Sequence, residues 1–179
     1  MPTSIRKEND FFNICEKCPQ SCCQNAKPPL TTKRRAIIEA YMRKQRVPIE
    51  KPFIRTSYTF PKVDSEGYCV FYDKKTKKCL IHPVKPETCV AGPITFDINP
   101  KTRKIEWFLK KDTICSLAGN LHKNSRMLER HLELAKREIQ RLVKELDAEA
   151  LKAILKIEEP ETFAIDEDPI DMDVLNKLA

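Results

Sequence analysis

Cys15-Glu16-Lys17-Cys18-Pro19-Gln20-Ser21-Cys22-Cys23 holds four of the chain's eight cysteines. Thiolates gathered this tightly are ligands for zinc or for an iron–sulfur cluster. Cys15 and Cys18 form a knuckle from which two sulfurs can reach one metal. Cys22 and Cys23 pull the other way. Neighbouring Cα atoms lie about 3.8 Å apart, and in an extended chain their side chains diverge. One compact tetrahedral site does not readily take both, so the pair is expected to serve different metal atoms or different sites. The remaining cysteines, Cys69, Cys79, Cys89 and Cys115, stand singly. Four thiolates close a site of either kind, so eight suffice for two, and spacing alone does not assign ligands to sites. Sets drawn from both groups would staple the N-terminal segment to the middle of the chain and make metal binding part of folding.

A chain of 179 residues fits one domain with an appendage. Its first residues contain no apolar run of signal-peptide length, and no stretch is long enough to span a membrane. The expected setting is a reducing cytoplasm, where metal ligation outcompetes disulfides. Disulfides, which persist in intracellular proteins of hyperthermophiles, are the minor alternative.

Thr31 or Thr32 offers an N-cap for a helix running to 46, with Ala36, Ile37, Ala40 and Tyr41 on one side. Two hairpins are expected, 69–73 with 78–82 and 93–98 with 104–109, each closed by a polar turn. Leu128, Leu132, Ala135, Ile139, Leu142 and Leu146 recur at helical spacing. That helix either continues past Asp147 or gives way to a second one capped by Asp147. The fold class expected is α+β: a small cysteine-rich domain organised by metal, with β-hairpins and a long C-terminal helix. Residues 1–119 form the cysteine-cluster domain, 120–157 the amphipathic helix or helix pair packed on it, and 158–179 an acidic tail, loosely docked or mobile.

The overall charge of +7 hides an asymmetry. The tail carries eight acids and one lysine, which leaves 32 basic against 18 acidic residues in 1–157, a net of +14. Such a body could bind nucleic acid, dock an acidic partner, or take up its own tail. Lys33-Arg34-Arg35 and Arg43-Lys44-Gln45-Arg46 are the nucleic-acid candidates on the first helix. Lys17, Lys27, Lys74, Lys75, Lys77, Lys78 and Lys85 lie near cysteines in sequence and could offset thiolate charge. Phe11, Phe12, Ile14, Val70, Phe71, Leu80 and Ile81 could keep water from a cluster. His82, three residues after Cys79, could replace one cysteine ligand, whereas His122 and His131 read as surface or packing residues. No Ser-His-Asp set, phosphate-cradling glycine loop or His-Glu-x-x-His motif is present, so independent catalysis has no support.

The run Cys15-x2-Cys18-x3-Cys22-Cys23, followed by Gly67-Tyr-Cys69-Val-Phe-Tyr-Asp73 and Cys79-Leu-Ile-His-Pro-Val-Lys-Pro86-Glu-Thr-Cys89, resembles the YkgJ-like cysteine-cluster family, described as a zinc- or iron-chelating domain. The likeness covers roughly residues 11–118. It implies metal-ligand roles for Cys15, Cys18, Cys22, Cys23, Cys69, Cys79 and Cys89, with Cys115 corresponding to a later cysteine of many members. A related region occurs in flagellin lysine N-methylases, which the resemblance connects with iron–sulfur chemistry. Lys85 stands where the family usually has Arg, and Val90-Ala-Gly replaces a basic-aromatic continuation, so no specific activity carries over. The function expected is metal binding, with an iron–sulfur cluster of the four-iron type favoured. It would serve electron transfer, protein modification or metalloenzyme assembly, with a redox or substrate protein as partner. The alternative is a zinc-stabilised module that binds protein or nucleic acid.

Overall fold

The helix that Thr31 announces is the first full element of the computed structural model, which describes residues 14–18, 22–159 and 161–179. Helix α1 spans Thr32–Gln45, with the Thr31 hydroxyl accepting from the Arg34 N–H at 3.0 Å. Arg46 ends it in the left-handed region (φ 53), its N–H donating to the Arg43 and Met42 carbonyls. The inner face differs from the one expected. Ile38 and Met42 are buried, with Tyr41 at the edge, whereas Ala36, Ile37 and Ala40 face outward. The cause is Arg34, which is drawn inward by buried carboxylates; residues four and eight positions on share its face.

Strands β1 (Phe53–Arg55) and β2 (Thr59–Pro61) form one antiparallel pair, and β3 (Tyr72–Asp73) and β4 (Lys78–Cys79) another. The second hairpin is shorter than expected because turns consume its flanks. The Tyr72 N–H donates back to the Cys69 carbonyl at 2.8 Å, and a 3₁₀ turn occupies His82–Val84. Helix α2 (Glu87–Ala91) follows, then β5 (Ile94–Asn99) and β6 (Lys104–Lys110), the hairpin expected there. Ile94 faces Leu109, Phe96 faces Trp107 and Ile98 faces Ile105. Helices α3 (Ser116–His122), α4 (Ser125–Glu145) and α5 (Ala148–Ile154) come next. Asp147 caps α5 through the Ala150 N–H at 2.8 Å, so the long helix does give way to a second.

The acidic segment is neither mobile nor loose. Residues Thr162–Pro169 form β7, the third strand of the β5-β6-β7 sheet, and α6 (Met172–Asn176) ends the chain. Its register on β6 shifts between Trp107 and Phe108, and the Trp107 indole N–H donates to Asp168 at 2.7 Å. Six of the eight tail acids meet lysines of the body: Glu159 with Lys110, Glu161 with Lys111, Asp166 and Asp168 with Lys136, Glu167 with Lys104, and Asp171 with Lys144. Such exposed pairs add little stability singly, but together they let an acidic strand lie on a basic sheet. The Lys177 ammonium caps the end of α4 by donating to the Val143, Lys144 and Leu146 carbonyls.

The architecture is thus α+β, with two apolar cores. The larger packs Ile105, Trp107 and Leu109 of the sheet against Ala135, Ile139, Leu142 and Leu146. The smaller joins Leu30, Ile38, Met42, Phe53, Phe71 and Ile81. A buried ion network ties them. Arg34 of α1 pairs with Glu138 of α4, lies 3.8 Å from Glu87 of α2, and donates to the Lys85 carbonyl at 3.0 Å. Glu87 is fully buried and accepts from the Thr31 hydroxyl at 2.7 Å. Burial pushes its carboxyl above the ordinary range, against the pull of Thr31 and Arg34. Among the described residues no helix is long and apolar enough to cross a membrane.

Arg34→Ala would leave Glu87 and Glu138 buried without that guanidinium and should cost about 3–5 kcal/mol. Arg35→Ala breaks only the exposed pair with Glu39 and should cost at most about 1 kcal/mol. Urea unfolding of both variants checks the contrast; equal losses would refute the network. Asp168→Ala strands the buried Trp107 N–H and should cost about 1–3 kcal/mol, read from the fluorescence of the single tryptophan. An unchanged midpoint would show that β7 is not seated on β6 in this register.

Candidate metal centre

Backbone geometry brings the distant cysteines together. Gly67, at φ 84, presents its carbonyl to the Asn25 N–H at 2.7 Å. A Cβ there would lie 2.2 Å from Asn25 Oδ1, so the approach requires glycine. Gln24 then bridges to Tyr68, and the Cys69 N–H donates to the Cys23 carbonyl at 2.8 Å. Asp64 holds the loop by accepting from the Glu66 and Tyr68 N–H groups, each at 2.9 Å. The β3–β4 pairing sets Cys79 opposite Tyr72, and α2 carries Cys89. At the other end, residues 14–17 are helical and the Cys18 N–H donates to the Cys15 carbonyl at 3.2 Å. The Ser116 hydroxyl donates to Cys18 Sγ at 3.6 Å, which places Cys115, the N-cap of α3, beside Cys15 and Cys18.

Cys69, Cys79 and Cys115 share a local arrangement. Each stands two residues before an apolar anchor: Phe71 and Ile81 in the smaller core, Leu117 in the larger. Burial raises all three thiols, to about 11 at Cys69, while backbone N–H groups favour the thiolates. Those donors are Phe71 for Cys69, Ile81 for Cys79, and Ala118 with Leu117 for Cys115. The thiols therefore hang between the two cores.

All eight cysteines are free thiols; Cys15, Cys22 and Cys89 are exposed and the others half-buried. Water reaches Cys89, yet protein surrounds it over the longer range on which a charge is hydrated. The longer range governs its ionisation, and burial raises it well above the usual thiol range. Burial likewise lifts Cys15 to about 11, helped by charge on Cys22, Cys115 and Cys18. Cys22 goes down, to about 6, chiefly because the Cys23 thiol donates to it, with Lys85 and Lys110 assisting against burial. Cys23 goes up for the complementary reason, then from burial and from charge on Cys22, Cys79 and Cys89.

The thiols bear on one another in two overlapping neighbourhoods that share Cys22. Cys15, Cys18, Cys22 and Cys115 form one. Cys23, Cys69, Cys79 and Cys89 form the other, and Cys22 also bears on Cys23, Cys79 and Cys89. As the side chains lie, no three or more His, Cys, Asp or Glu groups among the described residues are placed to hold a metal ion; the thiols share a field and would have to rotate to share a ligand. The donor set itself, all sulfur, fits zinc, iron–sulfur clusters and other thiophilic metals.

Lys85 is the cation that bears on Cys15, Cys22, Cys79 and Cys89. Lys74, also a candidate, is held by Asp64 and Glu66, and 74–78 is an exposed turn. Lys110 and Ser116 were not apparent from sequence spacing; Ser116 adjoins Cys115, but Lys110 has no local signal. Burial, then Lys85, lowers His82 to about 4. The His131 ring lies 3.0 Å from the Ala91 and Gly92 carbonyls, a packing role, while exposed His122 meets Phe163 edge-on. Ile14 packs on the larger core and Phe71 and Ile81 are buried, but Leu80 is exposed. Phe11 and Phe12 lie outside the described residues.

The family model "CxxCxxCC: Putative zinc- or iron-chelating domain" matches residues 14–116. The uncharacterized protein MJ0661 of Methanocaldococcus jannaschii is 32% identical over 107 residues. That similarity covers 57% of this chain and 57% of the relative, so the chain spans little more than half the length of that protein. No solved structure matches. The family match begins just before Cys15 and ends just after Cys115, enclosing all eight thiols. The chain belongs to this family of zinc- or iron-chelating, metal-binding cysteine-cluster proteins.

Proposed function

We propose that the eight cysteines hold metal in two adjoining centres, Cys15, Cys18, Cys22 and Cys115 in one and Cys23, Cys69, Cys79 and Cys89 in the other. The observation that carries this reading is geometric: the Cys69 N–H bond to the Cys23 carbonyl brings one set to Cys23, the Ser116 bond to Cys18 brings Cys115 to the other, and the two sets meet at the Cys22–Cys23 step. Adjacent residues whose side chains diverge are suited to serve neighbouring centres. Iron–sulfur clusters of the four-iron type are favoured: they use four thiolates each, and backbone N–H donors of the kind found at Cys69, Cys79 and Cys115, with a cation such as Lys85 near Cys79, tune their potential. A cluster would supply electrons. Lys85 and the buried anchors would offset its charge and limit water, and a protein partner would exchange electrons with it. Zinc is the second reading, because four thiolates also close a tetrahedral zinc site, and the family description names both metals.

Anaerobic purification with iron, sulfide and zinc analysis tests the proposal. Two clusters give about eight iron and eight sulfide per chain, with visible absorption; a colourless protein with about two zinc supports the second reading. Cys18→Ser and Cys89→Ser should each remove about half the metal and lower the melting temperature. Unchanged metal and stability in Cys18→Ser would remove that cysteine from the ligands. Loss of all metal in either single variant would replace two centres with one.

A further inference from the structure

Behind the smaller core, a shallow groove of about 680 Å³ runs between the last turns of α1 and residues 46–53. Met42 and Phe53 form its buried floor, and Val47 and Ile49 are half-buried beside them. Arg43, Arg46 and Lys51 are exposed on its rim and take no ion pair among the described residues. Arg35 is also there, paired with Glu39 and 5.5 Å from the centre of the Phe53 ring. The contrast with the sheet end is plain: there the tail's acids meet the body's lysines, whereas these three cations have no such complement.

We propose that this groove docks an acidic polypeptide segment carrying an apolar side chain, contributed by a partner protein. The cations select the acids, and the half-buried Val47 and Ile49, beside the buried Met42 and Phe53, take the anchor. A nucleic acid fits less well, since the groove's single aromatic ring is buried beneath Arg35 and offers no open face for base stacking. The position also has a consequence for the cysteines. Phe53 packs against Phe71 with ring centroids 5.8 Å apart, and Phe71 is the anchor two residues after Cys69. A partner seated here would be separated from Cys69 by two side chains, Phe53 and Phe71. The inference does not depend on which metal the thiols hold.

The test is selection of a random twelve-residue peptide display library against the full-length, metal-loaded chain, followed by fluorescence anisotropy with the enriched peptides. Enriched sequences should place two or more acids around Leu, Ile, Met or Phe. The double variant Arg43→Glu with Arg46→Gly should bind them at least tenfold more weakly, with unchanged metal content. Arg46→Gly alone removes a rim charge while relieving the left-handed backbone at φ 53, so it should melt no lower than the parent yet bind more weakly. No enrichment, enrichment without acids, or undiminished binding by the double variant would overturn the proposal. So would a single-stranded dT20 oligonucleotide that binds through Arg43 and Arg46 more tightly than any selected peptide, which would make the groove a nucleic-acid site.

Discussion

Sulfhydryl groups gathered within one another's field hinder one another's ionisation, because each charge placed there makes the next more costly where water is already scarce. Burial is the larger effect at Cys15, Cys69, Cys79, Cys89 and Cys115, and the neighbouring sulfurs add to it. A set of thiols arranged this way is a poor home for free thiolates and a good one for a thiophilic cation, whose charge reverses both penalties. The local donors have the same bearing. Backbone N–H groups following Cys69, Cys79 and Cys115 favour negative sulfur, and Lys85 reaches four of the eight. In the proposed function, cation and protein thus share the work of stabilising the charge.

The two cores are joined first by the network of Arg34, Glu87 and Glu138, and also by the β1–β2 pair, whose Phe53 belongs to the smaller core and Phe60 to the larger. In the proposed function, metal on the thiols would add a further cross-link. Glu87 belongs to the ion network and sits on the same short helix as Cys89, so the network fixes the orientation of a helix that also presents a thiol. In the proposed function, folding and metal loading would be coupled through that helix: the network limits where Cys89 can lie, and a metal on Cys89 would restrain the helix the network holds.

How far sequence alone could reach depended on whether an element announces itself locally. The α4 stripe and the β5–β6 hairpin obey short-range periods, and their positions agree with expectation almost to the residue. Thr31 and Asp147 were legible as caps because their side chains meet N–H groups three residues on. The β7 strand was not. Its partners on β6 lie some sixty residues away in sequence, and its acids have the composition of a solvated tail until the opposing lysines are placed. The inward face of α1 was misread because Arg34, a basic residue expected at the surface, is buried by partners on two later helices. For the thiols, spacing marked the Cys22–Cys23 divergence but not the neighbourhoods themselves. Those depend on the Gly67 approach and the Ser116–Cys18 bond, both contacts between distant parts of the chain.

Charge gives these features a common logic. The body carries a large positive excess, and the tail consumes part of it along the sheet and α4. Lys85 bears on the cysteines, and Lys110, paired with Glu159 of the tail, bears on Cys22 as well, where bound metal thiolates would leave a negative site. Arg43, Arg46 and Lys51 answer to neither demand. They rim a groove whose floor, Met42 and Phe53, is already buried and whose half-buried Val47 and Ile49 leave apolar surface beside them. In the proposed docking an acidic occupant answers the cations and covers that surface, and the ring contact from Phe53 to Phe71 puts it where it could influence the thiols without touching them.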